Sequence, residues 1–364
     1  MMVASPLVQS CFALAQKPMQ YNEMFGTFRV ILAILVVLQH LARNPHFNFG
    51  DAAVLNFFMI SGYVMTVVIR NNYGKIGKST WYFYADRFLR IYPQFFFFLI
   101  LAQIGDLLWS FQALYLSGQP SVGKFLLNAL VVPLNYHFVF PMLSHYQLIL
   151  PAWSLGLEEQ FYWIFPFLVL IPLVERISAV TSFAIFLFGI FGILNPELFA
   201  YRFLPGVIFI FLLGKNLAEY NQTHSKESAW TILILYGATF ALTLGLWLLK
   251  PEILFLGYNK EVLLSVLVGF PIIAVLSQMQ RQKWDEFLGH CSYGIFLSHI
   301  LVKDTFVHFR LYDLEPMNRV WTFIAAIILM AIIAGYIGYY LVEKPTIRFR
   351  LALRKKHARA MEAK

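Results

Sequence analysis

The sequence is poor in charged residues and has almost no cysteine. Asp, Glu, Lys and Arg make up 13% of the 364 residues, about half the ~25% of an ordinary globular domain. The two cysteines, Cys11 and Cys291, form neither a metal-ligand spacing nor a disulfide framework. We therefore predict that both are free, and we predict no metal site. These shortages exclude a disulfide-stapled secreted scaffold.

Apolar side chains, in contrast, are abundant. Hydrophobic residues make up 59% of the chain and aromatic residues 18%, with 37 phenylalanines. A soluble fold of this size could not bury so much apolar material, because more than half of a folded protein's surface is apolar already. The composition excludes a water-soluble enzyme and a disordered chain, and it predicts a protein embedded in lipid.

The apolar residues form stretches that predict an all-α, polytopic transmembrane helix bundle. A spanning helix needs about 20 mostly apolar residues, and about ten stretches qualify. No repeat and no break in composition marks a second domain, so we predict one transmembrane domain over residues 26–345. Residues 1–25 are predicted to be a cytoplasmic or interfacial lead, and residues 346–364 a basic cytoplasmic tail. The predicted spans are 26–42, 52–70, 88–109, 152–173, 179–195, 202–219, 229–249, 260–279, 287–303 and 320–342.

The basic residues predict how the bundle is oriented. The net charge is +9, and Lys and Arg lie between the apolar stretches and after residue 343 rather than among nucleic-acid-binding motifs. The positive-inside rule places the basic 70–90 gap and the tail in the cytoplasm. With ten spans both termini are cytoplasmic. We predict a multi-pass protein of the cell (inner) membrane that contacts lipids and no nucleic acid.

One predicted external gap is unusually long. Residues 110–151 contain an apolar centre, LLNALVVPL, and the polar rings Tyr136, His137, His145 and Tyr146. Structureless loops of this length are uncommon unless they are functional. We expect a helix that lies on the outer interface or dips into it and helps to shape an outward-facing pocket.

The first predicted span carries an arginine at its start, Arg29, and a histidine near its end, His40. Ionisable side chains inside spans are costly and are by default candidates for function. Eleven residues at ~100° each bring His40 to within ~20° of the direction of Arg29, ~16 Å further along the helix. A snorkelling arginine and a histidine satisfied by a neighbouring helix would explain either residue alone, but the shared face favours a functional stripe.

Two further arginines open the third predicted span. Arg87 and Arg90 are three residues apart and share a helix face, where like charges repel unless an anion or a carboxylate lies between them. With Arg29 they predict a cluster at the cytoplasmic mouth that binds phosphate, because guanidinium groups bind phosphates bidentately. The alternative is flanking charge with Asp86 as a local partner. Glu343, at the end of the last span, is a second candidate partner.

The fourth predicted span begins with PAWSLGLEEQFYW. Trp153 suits the outer interface, so we expect Glu158 less than two turns into the membrane, near the depth of His40. Glu158 and Glu159 point ~100° apart, so at most one of them faces the interior. A carboxylate beside an imidazole can fix its tautomer and raise its basicity, which is the arrangement of a general base. The alternative is an acidic pair stabilised by the helix macrodipole.

Three further residues are candidates for an acceptor site. Ser154 belongs to the motif of the fourth span, and Tyr293 and His299 are polar positions in the SYGIFLSH stretch of the ninth. His299 suits the binding of a sugar hydroxyl, and the alternative is a histidine that only contacts a neighbouring helix. The FFMISGY stretch of the second span contains a Ser-Gly step, which favours close helix packing.

Together these segments resemble the acyltransferase 3 family, integral membrane O-acyltransferases that modify surface polysaccharides and related acceptors. The resemblance covers about residues 25–348. It rests on the spacing of Arg29 and His40 and on FFMISGY, RFLRIYP, PAWSLGLEEQFYW, SYGIFLSH and LVEKP, in this order. Val30 stands where the family usually has a small residue, so we expect the first helix to pack differently there.

The resemblance implies a reaction and a role for each candidate. It implies an acyl-CoA donor in the cytoplasm, acetyl-CoA by default, which is a co-substrate and not a permanently bound cofactor. The acceptor is a hydroxyl of a carbohydrate or glycolipid on the other side. By motif position, His40 is expected to be the catalytic base and Glu158 its orienting partner or an acceptor-site carboxylate. Arg29, Arg87 and Arg90 are expected to bind the CoA phosphates or to organise the site.

A transporter or flippase of lipid-linked sugars, without acyl chemistry, is the alternative function. The polar interior of a multispan bundle motivates it. Transporters often have paired halves with broken helices in corresponding positions, however, and the sequence has no such pairing. No readable motif encodes the acyl group or the acceptor, and direct transfer is preferred here to an acyl-histidine intermediate.

Overall fold

The chain folds into helices, as the sequence predicts. The computed structural model describes residues 23–42, 44, 46–73, 78–111, 114–315 and 319–362. It is 82% helical, and the described residues contain no strand. The α-helices are α1 (Gly26–Leu41), α2 (Phe49–Asn72), α3 (Lys78–Trp109), α4 (Val122–Ala129), α5 (Val132–Asn135), α6 (Trp153–Leu170), α7 (Pro172–Ile190), α8 (Leu204–Thr223), α9 (Lys226–Leu249), α10 (Pro251–Leu254), α11 (Asn259–Leu276), α12 (Lys283–His308), α13 (Val320–Gly338) and α14 (Lys344–Glu362). Short π-helical turns lie at Leu198–Arg202 and Tyr339–Glu343.

Seven helical stretches among the described residues are long and apolar enough to cross a membrane, and each coincides with a predicted span. They are Phe49–Asn71, Thr80–Trp109, Pro172–Ile190, Leu198–Thr223, Lys226–Leu249, Asn259–Leu276 and Val320–Lys355. The other three predicted spans are also helical: α1 has 16 residues, α6 has 18 and α12 has 26. The chain is thus a multi-pass helical bundle, while the count of ten and the orientation of the termini stay predictions.

Helices α2 and α8 lie at the centre of the bundle and touch through glycines. A Cβ atom at Gly62 of α2 would overlap the carbonyl oxygen of Phe211, and one at Gly214 of α8 would overlap that of Met59. The rings of Phe58 and Phe211 stack with centroids 4.7 Å apart. The Ser-Gly step of FFMISGY therefore allows close helix packing, as predicted.

Helices α7, α9 and α13 lie at the periphery and present apolar side chains outwards. Val180 of α7, Trp230 and Trp247 of α9 and Leu329 of α13 are all more than half exposed. A water-soluble protein rarely exposes contiguous apolar surface of this extent. In a bilayer these side chains contact lipid, which accounts for the apolar composition.

Helices α1 and α12 lie side by side in register. The carboxylate of Asp285, in the first turn of α12, caps α1 by accepting hydrogen bonds from the backbone N–H groups of Gly26 at 2.8 Å and Thr27 at 2.7 Å. His40 follows Gly26 by fourteen residues, and His299 follows Asp285 by the same number. At 1.5 Å per residue both histidines lie ~21 Å beyond the cap. The cap therefore sets the two histidines at the same level.

The long gap at 110–151 contains the short helices α4 and α5. Val122 and Leu126 of α4 are exposed, whereas Leu134 of α5 and the following Leu143 and Tyr146 are buried against the bundle. A short helix with an exposed apolar side fits the predicted interfacial segment. Residues 112 and 113 of this gap lie outside the described part of the chain.

The predicted lead and tail are described in part. Residues 1–22, with Cys11, lie outside the described residues, and Cys291 is free and buried. The predicted boundary after residue 345 falls inside a continuous helical stretch, because the π-helical turn leads directly into α14. Arg350 and Arg354 of α14 form ion pairs of 3.0 and 2.9 Å with the buried Asp86 of α3. The first turns of α14 are therefore held against the bundle.

We expect Gly214→Ala to lower the melting temperature of the detergent-solubilised protein. The added methyl group meets the backbone of Met59, and overpacking of this kind costs about 1–3 kcal/mol. Gly237→Ala in α9 is the control, because nothing lies within 4 Å of its Cβ position, and its melting temperature should stay or rise. Equal decreases in the two variants would contradict the packing of α2 against α8.

Candidate active site

A cavity of about 540 Å³, the His40 cavity, lies at the end of the bundle where α1 stops. His40 in the last turn of α1 lines it, together with the first turns of α2 and α11 and the π-helical turn before α8. His137 and Gln147 of the 110–151 segment complete the wall. The predicted contribution of this segment to a pocket is confirmed.

A second histidine lies against the ring of His40. The ring of His299, which is 0% exposed, has its centroid 5.3 Å from that of His40. Its Nδ1 lies 3.3 Å from the carbonyl oxygen of Ile295, and its Nε2 has no hydrogen-bond partner among the described residues. If Nδ1 donates its proton to Ile295, Nε2 is an acceptor. His299 is therefore placed beside the predicted base.

The predicted arginines come together at a second, smaller cavity. This arginine cavity, of about 70 Å³, is lined by Arg29 of α1, Arg87 and Arg90 of α3, and Glu158 and Tyr162 of α6. The i, i+3 spacing of the α3 arginines brings both to one face, and Arg29 of α1 lines the same cavity. The cluster that the sequence predicts is therefore present.

Carboxylates hold two of the three arginines. Arg87 pairs with its neighbour Asp86, the local partner named with the flanking-charge alternative, and Arg90 pairs with Glu343, the second candidate partner. Glu343 also lies 2.9 Å from Nδ1 of His290. Asp86 and Glu343 are 0% and 5% exposed, and pairing is what makes burial of such charges tolerable.

Arg29 is arranged differently from the other two arginines. Its guanidinium makes no hydrogen bond or ion pair with any described residue, and its buried Nε has no partner. Arg29 therefore has donors that a ligand in the arginine cavity can engage.

Glu158 belongs to the arginine cavity and not to the His40 cavity. Its carboxylate accepts hydrogen bonds from the hydroxyls of Ser61 and Tyr162. Glu159 points elsewhere and accepts a hydrogen bond from Tyr92 at 2.8 Å, so the two carboxylates diverge, as predicted. The expectation that Glu158 lies at the depth of His40 is wrong, because Trp153 lines the His40 cavity whereas Glu158, five residues further along α6, lines the arginine cavity with Arg29. The ring of His299 lies beside His40 instead.

A third, middle cavity of about 50 Å³ lies between the other two. It shares Val54 and Phe296 with the His40 cavity, and it shares Arg29, Glu158 and other walls with the arginine cavity. The rings of Phe57 and Phe296 meet edge to face here, 6.3 Å apart. The three cavities thus form a row from the arginines to His40 with an aromatic pair at its narrow part.

The remaining acceptor-site candidates lie along this row. Ser154 lines the middle cavity, and its hydroxyl donates to the carbonyl oxygen of Pro151 at 3.1 Å. Tyr293 lines the middle and arginine cavities, donates to the carbonyl oxygen of Ile91 at 3.1 Å and lies under the guanidinium of Arg90. Neither residue lines the His40 cavity, so of the three candidates only His299 lies beside His40.

Two acidic residues of the His40 cavity, Asp51 and Glu261, are not among the site residues predicted from the sequence. Each lies in the first turn of a helix, where the helix dipole makes carboxylates common, and so neither stands out. Glu261 nevertheless falls inside the predicted span 260–279, and the high cost of an ionisable residue in a span is the signal that marks it.

His137 lies in the wall of the His40 cavity, outside the spanning helices. Burial lowers its pKa from the usual 6.5, and the positive charge of Arg202 lowers it further. Both effects disfavour the imidazolium form. His137 is therefore neutral at pH 7.

Comparison with known proteins identifies the family. The chain matches the model of the acyltransferase 3 family, described as an acyltransferase domain, over residues 25–339. The chain belongs to this family, and it is a membrane acyltransferase that transfers groups other than amino-acyl groups.

Three relatives match parts of the chain. An uncharacterised protein of Aquifex aeolicus (strain VF5) is 31% identical over 194 residues, 53% of this chain and 83% of that protein. A Bacillus subtilis (strain 168) protein named "Putative peptidoglycan O-acetyltransferase YrhL" is 23% identical over 363 aligned positions, 90% of this chain and 55% of that protein. A protein of Acidianus two-tailed virus named "Putative acetyltransferase ORF330" is 26% identical over 185 residues, 47% of this chain and 54% of that protein. The chain thus spans about half the length of the last two, and no solved structure matches it.

We expect Arg202→Met to raise the pKa of His137, because it removes the positive charge that disfavours the imidazolium form. NMR titration of the ¹³C-labelled histidine rings in detergent micelles measures the shift. Arg319→Met, at an exposed position, is the control and should leave the titration of His137 unchanged. A pKa that stays or falls in Arg202→Met would contradict this arrangement of the cavity wall.

Proposed function

We propose that the protein is an O-acyltransferase of the cell (inner) membrane that moves an acyl group across the bilayer. The donor is acyl-CoA, acetyl-CoA by default, bound from the cytoplasm at the arginine cavity. The acceptor is a hydroxyl of a carbohydrate or a lipid-linked glycan that enters the His40 cavity from the opposite side. Membership of the acyltransferase 3 family supports the reaction type.

The observation that carries the proposal is the row of three cavities. Arg29 and His40 lie on one face of α1, ~16 Å apart, and the middle cavity lies between the cavities that they line. A donor anchored by its phosphates at the arginines can extend a flexible arm through this row. The thioester carbonyl then reaches His40 while the nucleotide stays at the other end.

The arginine cavity has the donors that phosphate groups require. Guanidinium groups form charge-assisted, bidentate hydrogen bonds with phosphate oxygens. Arg87 and Arg90 are already oriented by Asp86 and Glu343, so binding does not have to order them. Arg29 brings donors that are not engaged by the described residues.

At the other end, His40 acts as the general base. The acceptor hydroxyl oxygen attacks the thioester carbonyl carbon while the imidazole of His40 takes the hydroxyl proton. The tetrahedral intermediate collapses, the carbon–sulfur bond breaks, and the CoA thiolate leaves and takes up the proton. The ester and free CoA are the products, and no acyl-histidine forms. We assign the orienting role to His299, whose Nε2 can accept a hydrogen bond when its Nδ1 donates to Ile295.

His40→Gln is expected to lower acyl transfer in isolated membranes by about 10²–10⁴-fold, the usual contribution of a positioned acid or base. Transfer of label from radioactive acetyl-CoA to membrane or surface glycans is the measurement. His145→Gln, at an exposed position of the 110–151 segment, is the control and should keep full activity. Undiminished activity in His40→Gln would reject the assigned base. A wild-type protein that neither binds acetyl-CoA nor transfers label would favour the transporter alternative.

Arg29→Gln is expected to raise the KM for acetyl-CoA by about 10- to 100-fold, because a charge-assisted hydrogen bond contributes about 1.5–3 kcal/mol. The substitution leaves no carboxylate without its hydrogen bond or ion pair. Steady-state kinetics at saturating acceptor measure the effect. Arg176→Gln, which breaks a surface pair with Glu227, is the control. An unchanged KM in Arg29→Gln would exclude a direct contact with the donor.

A further inference from the structure

Three residues in the wall of the His40 cavity each have a buried side-chain oxygen with no hydrogen-bond partner among the described residues. These oxygens are Oε1 of Gln39, Oδ2 of Asp51 and Oε2 of Glu261. All three are acceptors, because neither a carboxylate nor an amide oxygen has a proton to give. We infer that they form the acceptor subsite, which binds two or more hydroxyl groups of an uncharged sugar. This inference rests on the proposed function.

Each carboxylate has one oxygen that accepts a hydrogen bond from the protein and one that accepts none from the described residues. Oδ1 of Asp51 accepts a hydrogen bond from the hydroxyl of Tyr201 at 2.5 Å. Oε1 of Glu261 accepts one from the backbone N–H of Asn48 at 3.0 Å. The side chain of Asn48 in turn accepts from the backbone N–H of Asp51 at 3.1 Å. The two carboxylates are therefore fixed by a common set of contacts before any ligand binds.

Burial raises the free-energy cost of leaving these oxygens without hydrogen-bond donors. Glu261 is only 3% exposed, and a buried acceptor without a partner is costly because it has lost its water. A sugar hydroxyl that donates to Oε2 of Glu261 removes this cost. The protein therefore presents acceptors where a polyol presents donors.

The charge of the cavity favours a ligand without net charge. Among the described residues that line the cavity, Asp51 and Glu261 are matched in number by Arg202 and Lys260. Arg202 also lies 3.0 Å from the carboxylate of Glu197, which is not one of the lining residues. His137 adds no charge at pH 7, because its pKa is lowered. An acidic or a basic sugar would disturb this balance, whereas an uncharged sugar can donate to the carboxylates and accept from the cations.

The subsite is coupled to the base through α1. Gln39 is the neighbour of His40, and it lies against Gly50 of α2, where a Cβ atom would come within 2.8 Å of the Cβ of Gln39. The bare backbone of Gly50 thus leaves room for the Gln39 side chain. Because Gln39 and His40 line one cavity, a sugar held by two of its hydroxyls can present a third to the imidazole.

The test is sugar binding without the donor. Saturation-transfer NMR on the purified full-length protein in nanodiscs, with no acyl-CoA present, compares uncharged methyl glucoside, methyl galactoside and methyl N-acetylglucosaminide with glucosamine and glucuronic acid. At least one uncharged glycoside should bind the wild type. Glu261→Gln and Asp51→Asn, which keep the shape of each side chain but replace an acceptor by a donor, should each weaken that binding by about 10- to 100-fold.

Glu252→Gln, at an exposed position of α10, is the matched control and should bind like the wild type. Wild-type protein that binds none of the uncharged glycosides, or binds only a charged sugar, overturns the inference. Binding that survives both substitutions overturns it as well.

Failure of the proposed function is a separate result. If uncharged glycosides bind through Asp51 and Glu261 but the protein transfers no acetyl group from acetyl-CoA, the subsite is supported and the acyltransfer reaction is rejected. If acyl transfer occurs and neither substitution affects it, the reaction is supported and the subsite is rejected.

Discussion

Three guanidinium groups inside the helix bundle are the constraint on which the arrangement depends. Pairing lowers the cost of removing charges from water. Glu343 pairs with Arg90, and Asp86 pairs with its neighbour Arg87 and with two distant arginines of α14. The pairing fixes α3, the end of the last span and α14 relative to one another. It leaves Arg29 as the arginine whose donors are not engaged by the described residues.

The second fixed relationship is the register of α1 and α12. Asp285 caps α1, and equal distances along two helices then bring His40 and His299 together. Because Arg29 and His40 share one face of α1, the cap also places the two ends of the cavity row. Helix geometry thus holds the guanidinium of Arg29 and the imidazole of His40 ~16 Å apart. This separation suits a substrate that is bound at one end and reacts at the other.

Much of this was predictable from the sequence, and the exceptions have a common cause. Every hydrophobic stretch that was predicted to span the membrane lies on a helix. The i, i+3 spacing predicted that Arg87 and Arg90 lie together, and the i, i+11 spacing placed Arg29 and His40 on one face of α1. These are properties of single helices. The contact between His40 and His299 and the position of Glu158 depend on how helices rotate and pair, and the cap by Asp285 joins residues more than 250 positions apart. Spacing along one helix contains no information of that kind.

In the proposed reaction the acyl group passes through the row of cavities from one side of the membrane to the other. Proteoliposomes with radioactive acetyl-CoA outside and uncharged methyl glycosides sealed inside test this passage, with leakage of both compounds monitored. We expect labelled, acetylated glycoside inside the vesicles while CoA stays outside. Acetylation that occurs only when donor and glycoside share one compartment would contradict it.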